Sequence, residues 1–234
     1  MAIKDILIDK FSKYNFSLND EQLIKFEKYF ELLVEWNEKF NLTTILGEED
    51  VVQKHFLDSI LPIKFFKDNS KVLDIGAGAG FPSLPLKIMN ESLDITMIDS
   101  VNKKVVFLNE VAQILQLKNT RAIHTRAEDF AKGVNRENFD YVVSRAVASL
   151  DTLVEYCLPF VKIGGYFVAY KSEKTEEEVK NSLSALSKLG GKIEKIEEIN
   201  LFGTTRKLVY IKKIAHTPPA YPRGKNKPRL NPLR

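Results

Sequence analysis

The chain has 234 residues, the size of one ordinary domain with an appendage, and its 44% hydrophobic content is ample for a buried core. Its one cysteine, Cys157, excludes a disulfide framework and a multi-cysteine zinc site and fits a reducing cytoplasm; no apolar run approaches the ~20 residues of a membrane span, and Lys4, Asp5, Asp9 and Lys10 interrupt the N-terminus in a way no signal peptide does. The net charge of +4 is uneven, with 9 basic against 13 acidic residues over 1–70, 21 against 18 over 71–215, and 5 basic and no acidic residues over 216–234, so a polyanionic partner is expected.

Residues 1–70 read as helical. Asn19 and Gln22 have the spacing of a capping box. Leu23, Phe26, Phe30, Leu33, Asn37 and Phe40 then recur at three- and four-residue steps, one face of a helix. Val51, His55, Leu57 and Ile60 continue a helical pattern over about 50–66. From residue 71 strands and helices alternate, which predicts a parallel sheet. Strands are expected at 71–75, 95–99, 121–124, 141–144 and 166–170, with helices at about 103–117, 151–161 and 175–189 and a Gly164-Gly165 turn. The segments 192–199 and 206–211 are too close for a helical crossover and should pair as an antiparallel hairpin. Residues 216–234 hold five of the nine prolines and no helical period, and read as an extended basic arm, disordered without its partner.

The stretch Val72-Leu73-Asp74-Ile75-Gly76-Ala77-Gly78-Ala79-Gly80-Phe81-Pro82 carries the most information. A strand runs into a glycine turn, and Pro82 opens an amphipathic helix. Glycine permits positive φ and lets a ligand lie against bare backbone. A dinucleotide fingerprint needs G-x-G-x-x-G, but here the third glycine arrives one residue early and Phe81 fills its slot. Asp74 would repel a pyrophosphate and attract a cation such as S-adenosylmethionine, with its ammonium and sulfonium. The pattern resembles motif I of the S-adenosylmethionine-dependent methyltransferases.

Asp99, at the end of the second strand and 19 residues after Gly80, suits the two hydroxyls of a ribose. Ala127 and Glu128 follow the third strand, where a carboxylate and a backbone N–H would read adenine. Ser144-Arg145-Ala146 ends the fourth strand and Lys171 the fifth, so both cations reach one sheet edge. The fourth strand lacks the Asn/Asp-Pro-Pro-aromatic tetrapeptide of amino-methylating enzymes. Cys157 lies in an apolar helix and is read as buried and inert, not as a nucleophile. His55 and Asp58 share a helix face, a local contact with no assigned role, and no metal site is expected.

Taken together, Trp36-Asn37-Glu38-Lys39-Phe40-Asn41-Leu42-Thr43, His55-Phe56-Leu57-Asp58-Ser59, the glycine loop, Asp99-Ser100 with Lys103-Lys104, Ser144-Arg145-Ala146 and Lys171 resemble the RsmG (GidB) family of bacterial 16S ribosomal RNA guanine-N7 methyltransferases. Ser83 departs from it, where many members have glycine, and Gly224-Lys225-Asn226-Lys227 lacks the usual Pro-Gly step. The resemblance implies an α/β class I methyltransferase fold, Rossmann-like, with a seven-stranded sheet whose last strand is antiparallel. That core would span 71–215, with a helical extension over 1–70 and the basic arm over 216–234. It implies cofactor contacts from Gly76, Phe81, Ala127, Glu128 and Arg145, joining Asp74, Gly78, Gly80 and Asp99 from the residue reading. Arg145 and Lys171 would position the substrate without a general base. Lys103, Lys104, Arg223, Lys225, Lys227 and Arg229 would bind RNA. The expected partner is 16S rRNA or the small ribosomal subunit, met by a cytoplasmic monomer. A nicotinamide-dependent oxidoreductase and a non-catalytic RNA-binding module remain the alternatives.

Overall fold

The computed structural model describes residues 2–145, 148–172 and 175–233. Helices α1 (Ile3–Ser12) and α2 (Asp20–Lys39) open the chain. Gln22 N–H donates to Asn19 Oδ1 at 2.8 Å and Asn19 N–H to Gln22 Oε1 at 3.1 Å, so the expected capping box starts α2. The buried stripe of α2 is Leu23, Phe26, Tyr29, Leu32 and Leu33. Phe30, expected on that stripe, is only half-buried, and Phe40 leaves the helix in extended backbone. Asn37 is the reason: its Oδ1 accepts from Leu42 N–H and Thr43 N–H at 2.8 and 2.9 Å, folding the chain back past the helix end.

The next helix is not the uniform one that its periodicity predicts. α3 (Glu48–Val51) widens into a π-helical stretch over Val52–Leu57 before α4 (Asp58–Ile60), and a 3₁₀ turn follows at Ile63–Phe65. Such wide turns are frequent at functional sites.

The sheet comprises β1 (Lys71–Ile75), β2 (Asp94–Asp99), β3 (Thr120–His124), β4 (Phe139–Arg145), β5 (Val161–Lys171), β6 (Gly191–Leu201) and β7 (Thr204–Lys213), in the order β3-β2-β1-β4-β5-β7-β6. The first five strands pair in parallel, and β7 runs antiparallel to both neighbours, as the short connection before it requires. The connecting helices are α5 (Ser83–Met89), α6 (Asn102–Ile114), α7 (Ala127–Phe130), α8 (Leu150–Cys157) and α9 (Thr175–Leu189). α8 is shorter than expected because Pro159 turns its end into a 3₁₀ turn, Leu158–Phe160. Gly164 and Gly165 are not a turn but lie inside β5; a Cβ on Gly165 would stand 2.6 Å from Asp140 O, so glycine lets β5 approach β4. α5 is not amphipathic, since every residue from Ser83 to Ile88 is buried.

One face of the sheet, with Ile95, Met97 and Val143, shares a continuous apolar core with Phe11, Phe26, Tyr29 and Phe56 of the first helices. The other face, with Leu73, Val142 and Phe167, is covered by α8 and α9 through Leu153, Val154 and Leu186. The alternation of Val72 and Leu73 between the two cores is the period of two that a strand imposes.

The C-terminal arm corrects its expectation most. It is folded onto the core and carries a short helix, α10 (Lys227–Leu230). Arg136 donates to the carbonyls of Thr217, Pro218 and Tyr221 at 2.7–2.9 Å. Arg223 makes a forked pair with Glu155, whose side chain is fully buried. Thr217 and Pro228 are buried. The arm carries no continuous apolar stripe, so periodicity does not reveal it; its attachment is polar.

Candidate cofactor and substrate site

A cleft of about 610 Å³ opens at the carboxyl ends of β1, β2 and β3. The loop after β1 forms its floor, with positive φ at Gly76, Gly78 and Gly80. The glycines differ in purpose. Gly78 lines the cleft, and a Cβ there would find only Gly76 O, 3.9 Å away. Gly80 does not line it; a Cβ there would meet Leu84 at 2.5 Å and Tyr29 Oη at 2.6 Å. Gly80 therefore lets α2 reach the loop, where Tyr29 donates its hydroxyl proton to Ala79 O at 2.5 Å.

Asp74 is wholly buried behind the loop and is absent from the cleft wall, contrary to the expected direct cation contact. Its Oδ2 accepts from Ser83 Oγ at 2.7 Å, so the serine that departs from the family pattern has a partner. Among the described residues Asp74 Oδ1 is the buried side-chain oxygen left without one. Burial, offset in part by Ser83, pushes the carboxyl up to about 7. Asp99 does face the cleft, with Gly78 N–H donating to Oδ2 at 3.0 Å and Val101 N–H to Oδ1 at 2.8 Å. A carboxylate has about four acceptor positions, so two remain for a ligand. Ala127 and Glu128 line the far end beside Tyr156 and Asn226. The open backbone at Gly78 and the acceptors left on Asp99 suit a nucleoside ligand, with the Asp99 carboxylate facing its ribose.

Arg145 stands where this cleft meets a second one of about 520 Å³. Its Nη1 donates to Asp58 Oδ2 at 2.7 Å and Lys54 O at 3.0 Å, and the guanidinium lies 5.1 Å from the Phe81 ring centroid. Nη2 is 3.0 Å from His55 Nδ1. Lys54 O also lies 3.2 Å from Nδ1, but it already accepts from Arg145 Nη1. Because arginine can only donate, the arginine contact has Nδ1 accepting and the imidazole proton on Nε2, which donates to Thr43 Oγ1 at 2.9 Å. Burial first, and Arg145 second, hold the His55 pKa down at about 3. The neutral ring stacks on Phe81 at 4.4 Å. The two sequence pieces around Asn37 and His55 thus converge: Asn37 shapes the loop carrying Thr43, Thr43 holds His55, and His55 and Asp58 hold Arg145.

Residues 22–209 match the family model described as "GidB: rRNA small subunit methyltransferase G". Proteins named "Ribosomal RNA small subunit methyltransferase G" from Staphylococcus carnosus and Acetivibrio thermocellus are 46% and 48% identical. The alignments cover 97% of both chains for the first, and 100% of this chain and 98% of the relative for the second. The chain belongs to the rRNA small subunit methyltransferase G family. Membership makes it an S-adenosylmethionine-dependent rRNA methyltransferase, and the oxidoreductase and non-catalytic alternatives fall. The fold agrees with solved structures of distant sequence: a SAM-dependent methyltransferase from Aquifex aeolicus (TM-score 0.55, 20% identity, 70% of this chain and 93% of that one) and a ribosomal protein L11 methylase from Lactobacillus delbrueckii subsp. bulgaricus (TM-score 0.54, 14% identity, 69% and 79%).

Within this family site several expected contacts are occupied. Lys171 is 9% exposed, donates to Ala148 O at 2.7 Å and pairs with Glu178 at 2.6 Å. Glu178 also accepts from Leu150 N–H at 2.8 Å, so Lys171 ties the segment after β4 to α9 instead of offering a free cation. Ala146 of the Ser144-Arg145-Ala146 piece lies outside the described residues. Arg223 neutralises Glu155 and is not a free RNA ligand. Lys103 covers the Phe40 ring at 4.4 Å, and Lys104 reaches the cleft wall. Lys225, Lys227 and Arg229 are exposed, Arg229 at the cleft mouth. Cys157 is buried, which pushes its thiol well above the usual range. Sequence reasoning missed Lys54 and Arg206 in the second cleft, and Tyr156 and Asn226 in the first. Arg206 gave no signal because it reads as an ordinary strand cation; its Nε donates to Asp58 Oδ1 at 3.0 Å. Among the described residues no three His, Cys, Asp or Glu side chains cluster as a metal site, and no helix is long and apolar enough to cross a membrane.

Proposed function

We propose that the chain methylates N7 of a specific guanine in the decoding-region stem-loop of bacterial 16S rRNA, as a cytoplasmic monomer. The observation that carries this reading is the junction of two clefts at Arg145, one bearing the glycine loop and Asp99, the other Lys54, Lys171, Arg206 and Lys207. Bound S-adenosylmethionine supplies an activated methyl group. Gly76, Gly78, Phe81, Asp99, Ala127, Glu128 and Arg145 hold that ligand, and Asp74 and Gly80 act behind the loop by shaping it.

Guanine N7 carries a free lone pair, so no proton has to leave before attack and no general base is needed. The surroundings of Arg145 favour that chemistry. His55 stays neutral, its Nδ1 accepts from Arg145 and its Nε2 donates to Thr43, so neither nitrogen is free to take a proton. The protein's contribution is orientation of N7, worth a large share of the barrier when reacting atoms are held in line. A guanine in structured RNA leaves its stack to enter the second cleft. Arg145 sets its position between the clefts, and Lys171 acts through the segment it holds. Lys104, Lys225, Lys227 and Arg229 meet flanking phosphates.

The test is methyl incorporation into unmethylated 16S rRNA and into assembled subunits, followed by nuclease mapping of the product by mass. One labelled guanine in the decoding-region stem-loop, cleavable by aniline after borohydride reduction as N7-methylguanine is, is the expected result. Label on another nucleotide, or on another atom of that guanine, overturns the reading.

A further inference from the structure

Asn226 lies in the C-terminal arm, past residue 209, where the match to the family model ends. Its backbone is left-handed, with φ 58°, a conformation asparagine tolerates better than most residues. The arm holds it in place on both sides through the Arg223–Glu155 pair and the buried Pro228. Asn226 N–H donates to Glu128 Oε1 at 3.3 Å. Tyr156 donates its hydroxyl proton to Asn226 Oδ1 at 3.1 Å. Burial, Glu128 and Glu155 push Tyr156 up to about 12, so this donor keeps its proton at neutral pH. With Oδ1 taken, Asn226 Nδ2 is a donor on the cleft wall with no partner among the described residues. Beside it, Glu128 is an acceptor with lone pairs to spare.

A donor next to an acceptor at the nucleoside end of a cleft matches the Watson–Crick edge of adenine, whose amine donates and whose ring N1 accepts. We infer that Asn226 Nδ2, in place of the backbone N–H expected after β3, donates to N1 of the adenine ring while Glu128 accepts from its amine, and that the arm is a fixed wall of the cofactor site. This rests on reading the cleft as the S-adenosylmethionine site. The arm's folded state is what makes the contact effective: the donor is already in place, so little ordering is lost on binding.

The test uses full-length Asn226→Gly. Glycine adopts the left-handed backbone without strain and keeps the N–H toward Glu128, but it takes the acceptor from the Tyr156 hydroxyl, so the thermal midpoint should fall by no more than about 2–4 °C. Calorimetric titration with S-adenosylhomocysteine should show about tenfold weaker binding, with KM for S-adenosylmethionine raised and kcat unchanged. The 1-deaza analogue of S-adenosylhomocysteine, which lacks the ring acceptor, should bind wild type and variant equally. Undiminished binding of S-adenosylhomocysteine by the variant, or an unchanged preference for it over the 1-deaza analogue, overturns the inference and leaves the cleft reading intact. Failure of the wild type to bind either ligand overturns both.

Discussion

Arg145 Nη2 approaches His55 Nδ1 to 3.0 Å, and the same guanidinium covers the ring of Phe81, on which His55 itself stacks at 4.4 Å. Burial first, and the arginine beside it second, keep the imidazole neutral, and the neutral imidazole gives the arginine an acceptor. The contact ties the π-helical turn to the end of β4 and to the glycine loop. Removing either partner therefore disturbs cofactor and substrate sides together. Arg145→Lys keeps the charge but loses the fork that reaches Asp58, Lys54 O and His55 at once. Its methyl transfer should fall by at least tenfold, while Lys104→Ala, at the rim of the first cleft, should leave kcat near wild type. Single-turnover kinetics on 16S rRNA with saturating donor separate the two.

His55 and Asp74 impose opposite pH dependences on stability. The His55 pKa falls from 6.5 to about 3 in the fold. Between those values the unfolded chain binds a proton that the fold refuses, so stability is lost as pH falls. Asp74 rises from 3.8 to about 7, and in that window the fold keeps a proton the unfolded chain releases, so stability is lost as pH rises. Each slope is about 1.4 kcal/mol per pH unit, and they cancel where the windows overlap. Asp74→Asn should uncover the histidine slope, weakening as pH falls below about 6.5, and should exceed wild type in stability above about pH 7. His55→Gln should uncover the opposite slope. Urea midpoints of the three apoproteins across this range check the expectation, and three parallel curves would refute it.

The glycine loop separates binding from packing. Gly78→Ala meets no neighbour closer than 3.9 Å and bears only the left-handed backbone cost of about 1 kcal/mol. It should remain folded and bind S-adenosylmethionine more than tenfold more weakly. Gly80→Ala drives a methyl against Leu84 and Tyr29 and should cost about 2–4 kcal/mol, with affinity largely kept in the protein that stays folded. Thermal unfolding and calorimetric titration of the pair would reverse the assignment if Gly78→Ala proved the less stable of the two.

What the sequence made legible follows the same division. The capping box at Asn19, the carboxyl ends of the parallel strands and the antiparallel hairpin are local patterns and stand close to where periodicity puts them, whereas β5 begins at Val161 because Gly164 and Gly165 lie inside the strand and do not turn it. Asp99 lines the cleft because position at a strand's carboxyl end is itself a sequence property. Lys171 was misread because its partners, Ala148 and Glu178, are set by tertiary packing, and a cation at the right edge looks free until its neighbours are known. Gly80 was misread for the same reason: three alternating glycines look alike until Tyr29, fifty-one positions earlier, is brought against one of them. The arm escaped because Arg136 and Glu155, which anchor it, carry no periodic signal.

Glu155 is fully buried, and Arg223 supplies its countercharge through two guanidinium nitrogens and a backbone N–H. Breaking a buried pair from one side costs about 3–5 kcal/mol when the remaining charge cannot reach water. Here the arm can lift away and let water in, so the cost should appear as local opening. Arg223→Ala should raise amide exchange over 216–233 by at least tenfold and leave exchange in β1 and β4 unchanged. Uniform acceleration across the sheet would instead make the pair part of the global fold. Glu155→Gln, which removes the charge but keeps the shape, should loosen the arm less than Arg223→Ala does.

Lys225, Lys227 and Arg229 are exposed, whereas Arg223 is spent on Glu155, so the arm's contribution to RNA affinity should come from the first three. Each phosphate contact releases condensed counterions, and the slope of log Kobs against log salt changes by about 0.7–0.9 per contact. Lys225→Ala/Lys227→Ala should make that slope shallower by about 1.4–1.8, with affinity for S-adenosylmethionine unchanged. Arg223→Ala should also weaken RNA binding, but indirectly, because it releases the surface that carries the other three charges. The two causes are separable: Arg223→Lys, which keeps the countercharge to Glu155 but loses the fork, should recover part of the arm's protection and part of the salt slope together. Binding of a decoding-region stem-loop across a salt series measures both quantities, and a slope that the lysine pair leaves untouched would remove the arm from the RNA interface.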